Sequence, residues 1–305
     1  MTALRPGQSP PPVRMPRRMN LRYQGSGCRV RPIEWSMRFG AHVSSAGGVS
    51  RACERARALG ADTLQVFTAS PRMWRARCIP ETEAATVRRL RRRIKLRPLI
   101  VHANYLINAA SADVQIRSRS LAALRGELER ARALGAEYLV LHPGSGELER
   151  CVEGIREASE GFRWEQLTLL IENMAGGGTH LAGNFPALAE VLEGLRGLPV
   201  GACLDTCHSW AAGYDLVSPE GYAATLGELQ ATVGLKRVPV LHANDAKTAR
   251  GSHHDRHAHI GQGQLGEVAF RRLLQDRRLR GKAWIVETPL TGQARDLKAL
   301  RRLAQ

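Results

Sequence analysis

No apolar stretch in this chain approaches the roughly 18 to 20 residues that a membrane span requires, and none has the form of a signal-peptide core. Paired cysteine motifs are missing too. The six cysteines (Cys28, Cys53, Cys78, Cys151, Cys203 and Cys207) are scattered through 305 residues with no CxxC among them. A chain of this length buries enough apolar surface to do without disulfide staples. The cysteines therefore read as reduced thiols of a cytoplasmic protein. Cys203 and Cys207 flank Asp205 and raise the question of a thiolate zinc site. Cys203 alternates inward with its strand and lacks a second CxxC, so buried packing is the better reading.

Acidic residues are also scarce. Twenty-eight Asp and Glu face 45 Lys and Arg, for a formal charge of +17. This balance points to a polyanionic partner, nucleic acid first, although an arginine-rich proteome would produce it as well. Residues 1–36 hold seven arginines against one glutamate, so +6 of the charge lies there and +11 in the rest. That segment, with SPPPVRMPRR and QGSG, lacks periodicity and reads as a disordered basic extension. A strand begins almost directly after Met37, which favours an upstream start over a DNA-binding tail or a targeting peptide. One domain is placed at 37–305.

The chain does contain a recurrence. Six apolar runs each end on a His, Asp or Glu: PLIVHA on His102, EYLVLHP on His142, LTLLIEN on Glu172, VGACLDTCH on Asp205, VPVLHAND on His242 and AWIVET on Glu287. Such runs read as strands buried on both faces, where an ionisable group is costly unless paired or bound to metal. Strands are expected near 38–43, 62–67, 98–102, 137–142, 168–172, 199–204, 238–243 and 283–287. Helical patterns fall between them at 48–59, 81–95, 115–134, 148–161, 184–195, 218–231, 266–275 and 293–303. Gly60 and Gly135 close helices, while Asn184 and Ser218 open them. Eight β-then-α units point to an α/β fold, a (β/α)8 TIM barrel whose active site gathers at the carboxyl ends of the strands. An open doubly wound sheet would not bring six strand ends around one point.

Further ligand types lie beyond the strand ends. His208 stands three residues after Asp205 in the DTCH turn. GSHHDRHAHIG carries Asp255 and His257 with one residue between them, so in an extended segment both face the same way. His259 continues that parity, while His253 and His254 read as solvent-facing. Five histidines and four carboxylates are too many for one ion and suit two or three. Imidazole and carboxylate donors fit Zn, Mn or Fe, and closely spaced ions suit phosphoester cleavage.

These strings resemble the endonuclease IV family of apurinic/apyrimidinic endonucleases. GACLDTCH (201–208), HANDAKTARGSHHDRHAHIGQG (242–263), LHPGS (141–145) and IENMAGGG (171–178) carry the resemblance, which extends from RFGAHVSSAGG to VETP. It implies a barrel with three Zn2+, Mn2+ being acceptable at one or more positions. His102, His142 and Glu172 would hold one ion; Glu172, Asp205, His242 and Glu287 a second; His208, Asp255 and His257 the third. The resemblance also implies hydrolysis 5′ to abasic sites in double-stranded DNA by a monomeric enzyme, with 3′-phosphatase and 3′-phosphodiesterase activity from the same site. Arg72, Tyr105 and Leu106 match positions that insert into the DNA. Met174, Gly177 and Gln262 depart from the usual family residues, and none is an expected ligand. Two rivals remain: a sugar isomerase on a related barrel and a non-catalytic binder of damaged DNA. An isomerase has no need of His102, His142, His208, Asp255 and His257, and unused buried charges would make an inert binder costly.

Overall fold

Short leucine- and valine-rich runs alternate with amphipathic helices from Met37 to the carboxyl terminus. The computed structural model describes residues 37–305 except Arg75, so the extension expected over 1–36 lies outside the described residues. In order the elements are β1 (Arg38–His42), α1 (Val49–Ala58), β2 (Thr63–Phe67), α2 (Glu81–Ile94), β3 (Leu99–His102), α3 (Val114–Ala133) and β4 (Tyr138–Leu141). Then follow α4 (Leu148–Ser159), β5 (Thr168–Glu172), α5 (Phe185–Gly194), β6 (Val200–Asp205), α6 (Thr206–Ala211), α7 (Pro219–Thr232) and β7 (Val240–His242). The chain ends with β8 (Asp245–Ala246), β9 (His257–Ala258), α8 (Gly266–Gln275), β10 (Ala283–Val286) and α9 (Gln293–Leu303). Among the described residues no helix is long and apolar enough to cross a membrane.

Eight parallel strands close into a barrel in the order β1-β10-β7-β6-β5-β4-β3-β2. Closure draws β1 against β2 so tightly that a Cβ on Gly40 would lie 2.2 Å from the Thr63 carbonyl oxygen. Only glycine permits that approach. The expected fold class holds, and most element boundaries fall within one or two residues of the sequence reading. Gly60 and Gly135 do follow helices at positive φ, while Asn184 and Ser218 cap α5 and α7 through side-chain oxygens.

Two elements differ from expectation. DTCH is not a free turn: Asp205 caps α6, accepting the His208 N–H at 2.8 Å. At six residues, α6 is too short to show periodicity. The loop after β7 also contains a small antiparallel ribbon, β8 with β9.

Strand alternation divides the core in two. Outward residues such as Leu139, Ile171, Leu241 and Trp284 pack under the helices, while Ile100, Val140, Leu170, Cys203, Val240 and Ile285 fill the barrel interior. Trp284 is fully buried, yet its indole nitrogen has no hydrogen-bond partner. Trp284→Ala should therefore cost about 3–5 kcal/mol. Trp284→Phe, which also removes an unpaired donor, should cost well under half of that. Denaturant unfolding of both variants checks the contrast, and equal losses would contradict it.

Candidate metal centre

The alternation that fills the barrel interior also builds the site above it. Two residues after each interior residue the chain again points inward. Ile100 leads to His102, Val140 to His142, Leu170 to Glu172, Cys203 to Asp205, Val240 to His242 and Ile285 to Glu287. An apolar layer thus lies directly beneath a layer of imidazoles and carboxylates. His142 and Glu287 stand one residue beyond their strands.

Glu172 lies at the centre and is 1% exposed. Its Oε2 is 3.4 Å from His102 Nε2 and 3.1 Å from His142 Nε2. Its Oε1 is 3.0 Å from His242 Nδ1 and 3.2 Å from His208 Nδ1. The two oxygens therefore face different groups of donors. His242 Nδ1 lies a further 3.1 Å from Glu287 Oε2 and 3.8 Å from Asp205 Oδ2. On the other side of Asp205, Asp255 brings Oδ2 to 3.2 Å from His208 Nε2 and Oδ1 to 2.9 Å from His257 Nε2. Three ligand groups emerge: His102, His142 and Glu172; Glu172, Asp205, His242 and Glu287; and His208, Asp255 and His257.

The donor atoms fit cations. The Nδ1 of His102 donates to the Ala103 carbonyl at 2.8 Å, and that of His208 to the Asn173 carbonyl at 2.9 Å. Because a carbonyl only accepts, these contacts leave both Nε2 lone pairs directed into the site. His257 Nε2 is buried without a hydrogen-bond partner, although Asp255 Oδ1 is close. Two donor atoms brought together without a hydrogen bond are what a shared cation requires. Cys203 also lies within ligand range of Glu172 and His242, and Cys207 within range of Asp205 and His257. Burial pushes the Cys203 thiol up to about 12 and raises Cys207 as well, so without a cation both stay protonated and pack as small apolar groups.

Protons share the same atoms when cations are absent. Burial opposes charge on His257, but its contact with Asp255 and the Asp205 carboxylate overcome that and raise it to about 9. His208 is likewise lifted well above the ordinary imidazole value, against its burial, by Asp205, Asp255 and Glu172. His242 is lifted against its burial by Cys203 and by the Glu172 and Glu287 carboxylates. Burial raises Asp205. Glu172 is held low despite burial, by His242 and His142.

Three amides and one imidazole complete the centre, and the sequence reading missed all four. Asn173 Oδ1 accepts the Asp205 N–H at 2.7 Å. Asn244 Nδ2 donates to Asp205 Oδ2 at 2.7 Å and to Glu287 Oε2 at 3.1 Å. Gln65 reaches His242 and Glu287 from below. His42 ends β1 3.5 Å from Glu287; RFGAH lies in an expected strand and follows the same strand-end rule, but its glycine and single phenylalanine make it too weakly apolar to stand with the other six runs.

Around the site an open cavity of about 850 Å³ is rimmed by Arg72, Tyr105, His180, His253 and His254. Tyr105 is exposed and Leu106 half-buried on the loop after β3. Arg72 is exposed on the turn after β2. Asn104 joins the two loops: its Nδ2 donates to the Met73 carbonyl at 2.6 Å, and its Oδ1 accepts the Leu106 N–H at 2.8 Å. His253 and His254 are exposed as expected, with the His253 ring anchored on the Ala175 carbonyl. His259 turns away from the ligands and pairs with Asp296 at 2.7 Å. Gly176, Gly177 and Gly178 all have positive φ, so they serve a backbone turn. Lys247 is exposed.

Because His257 holds its proton up to about 9, a cation entering at neutral pH must displace protons. Raising the pH toward 9 should tighten Zn2+ uptake by the chelator-stripped protein, and lowering it should weaken uptake. Indicator dye in weak buffer should record proton release on loading. Uptake without release would contradict this account.

A family model described as a xylose isomerase-like TIM barrel matches residues 53–303. A "Probable endonuclease 4" of Solibacter usitatus is 48% identical over 281 residues, covering 88% of this chain and 97% of that one. The endonuclease 4 of Thermus thermophilus is 43% identical over 256 residues, covering 83% and 92% respectively. A crystal structure of endonuclease IV from Thermus thermophilus aligns with a TM-score of 0.81 at 41% identity, covering 87% of this chain and 98% of that one. With identity of this extent over nearly the whole barrel, the chain belongs to the endonuclease IV family.

Proposed function

We propose that this protein is a metal-dependent DNA-repair endonuclease that hydrolyses the phosphodiester 5′ to an abasic site in duplex DNA. The products are a 3′-hydroxyl and a 5′-deoxyribose phosphate, and the same site removes 3′-phosphate and 3′-phosphodiester blocks. The observation that carries the reading is Glu172, whose two carboxylate oxygens face two separate sets of imidazoles. A carboxylate so placed suits a bridging ligand in a site of several ions.

In this reading His102, His142 and Glu172 hold one Zn2+; Glu172, Asp205, His242 and Glu287 hold a second; and His208, Asp255 and His257 hold the third. Mn2+ is an acceptable substitute. Such ions supply a nucleophile at neutral pH and offset charge on the attacking and leaving oxygens of a phosphoester. The chain does the rest. Its apolar floor keeps water from entering beneath the ligands, and Asn173 and Asn244 hold Asp205 and Glu287 in place. Arg72, Tyr105 and Leu106 meet the DNA at the rim, where wedging is least costly because a base is already missing. Five unpaired thiols among the described residues suit the reducing cytoplasm, and the enzyme is read as working there as a monomer. Residues 37–305 form the catalytic domain, and residues 1–36 are dispensable for it.

A sugar isomerase would need only the quartet around His242. The five additional ligand-type residues argue against it, as does the lack of a lysine at the carboxyl end of any barrel strand to work on a free sugar.

A duplex oligonucleotide carrying one abasic analogue should be cut 5′ to the lesion by protein holding close to three metal ions, and prolonged chelation should abolish cutting. Glu172→Gln should lose several orders of magnitude in incision rate while still binding the duplex. Full metal content without incision would turn the reading toward free ketoses. Tyr105→Ala, on the rim, should weaken abasic-duplex binding by about 1–3 kcal/mol, roughly 5- to 150-fold. An unchanged dissociation constant in a fluorescence titration would remove Tyr105 from the recognition surface.

A further inference from the structure

Gln65 is a polar side chain in the middle of a barrel strand and is fully buried. It pairs across the sheet with His42 on one side and Ile100 on the other, so it sits level with the apolar floor under the ligand layer. Burying an amide there costs free energy unless all its hydrogen bonds are made. Here they are made to residues of the site itself. Gln65 Oε1 is 2.8 Å from His242 Nε2. Gln65 Nε2 donates to Glu287 Oε1 at 2.6 Å and meets His42 Nδ1 at 3.0 Å.

The orientation of this amide follows from its neighbours. Reversed, it would set its oxygen 2.6 Å from a carboxylate oxygen, acceptor against acceptor. With Oε1 facing His242, the proton of that ring is fixed on Nε2 and the lone pair on Nδ1. That Nδ1 is the atom lying 3.0 Å from Glu172 Oε1 and 3.1 Å from Glu287 Oε2. The donation to Glu287 Oε1 likewise turns Oε2 toward the same point. One buried amide therefore aims two ligands from two strands at one position.

We infer that Gln65 is a positioning residue for the cation of the Glu172, Asp205, His242 and Glu287 group, setting the tautomer and rotation of His242 and the rotation of Glu287. Such partners behind metal ligands commonly control affinity by about 10- to 100-fold. A glutamate at this position would repel Glu287, and an alanine would leave His242 Nε2 without an acceptor. The inference rests on the proposed reading of the quartet as a cation site, and its test separates the two.

Chelator-stripped parent and Gln65→Met proteins are titrated with Zn2+ against a chromophoric chelator, with metal content per chain measured in parallel. Methionine keeps the length of the side chain and removes all three hydrogen bonds. One ion should bind about 10- to 100-fold more weakly in the variant while the others keep their parental affinity. All ions within about twofold of parent, or all weakened alike, would overturn the positioning role. A parent that takes up no metal would overturn the cation-site reading, and the positioning role with it. A second measurement does not depend on the variant's folding. Nitrogen-15 spectra of the Zn2+-loaded parent, labelled at histidine, should show His242 metal-bound at Nδ1 and protonated at Nε2. The opposite assignment would sink the inference.

Discussion

The centre is organised by the cost of burying carboxylates. Glu172 and Asp205 are withdrawn from water at the top of the barrel, and isolated ions in that setting would each cost several kcal/mol. Imidazoles within 3.0–3.4 Å of Glu172 offset part of that cost, and backbone or amide N–H groups offset more at Asp205. Protons can occupy the remaining positions, which is why His208, His242 and His257 are lifted above their ordinary values. A proton is a monovalent substitute for what several lone pairs can hold together. The Nε2 of His257, 2.9 Å from Asp255 but out of line for a hydrogen bond, is the clearest place where hydrogen bonding alone leaves the arrangement incomplete.

The barrel makes that concentration of charge tolerable through strand parity. Each ligand strand supplies an apolar side chain to the floor and a polar one to the layer above, so the site gains its ligands without loosening the core below. The loop ligands Asp255 and His257 need separate fixing, since they do not belong to the barrel sheet. Asp245 provides it, accepting backbone N–H groups of Ala246, Gly261, Gly263, Leu265 and Gly266 at 2.8–3.2 Å. Gly263 is required there, because a Cβ would meet the Ala246 carbonyl oxygen at 2.4 Å. His259 on Asp296 ties the same loop to α9. The segment carrying two ligands is thus held by carboxylates that are not ligands.

Periodicity and chemistry coincide at the strand ends, and this made most of the centre legible in the sequence. An apolar run ending on His142 or Glu172 states both a strand and a direction. Asp255 and His257 were legible because a one-residue spacing has only one meaning in extended chain. Gln65 was not legible, because a glutamine inside LQVF resembles any half-buried strand residue; its meaning depends on barrel closure, which sets β2 and β10 on either side of β1. Asn173 and Asn244 follow ligand positions closely, and only the fold reveals that each reaches across to another strand. Distances were beyond the sequence for the same reason: parity gives the face of a strand, while the shear of the barrel sets which side chains meet.

Recognition and chemistry are assigned to different materials in this fold. The ligands stand on strands and on a clamped loop, whereas Arg72, Tyr105 and Leu106 stand on two loops at the rim. Those loops are joined by Asn104, which ties the turn after β2 to the segment after β3. In the proposed function this coupling matters more than the contact made by any one side chain. A wedge gains from entering DNA only if its parts are already ordered, since ordering them on binding would consume the stacking energy gained. Tyr105 contacts Phe67 and His142 as well, with ring centroids 5.1 and 5.6 Å apart, so the wedge is registered against both the barrel and a ligand.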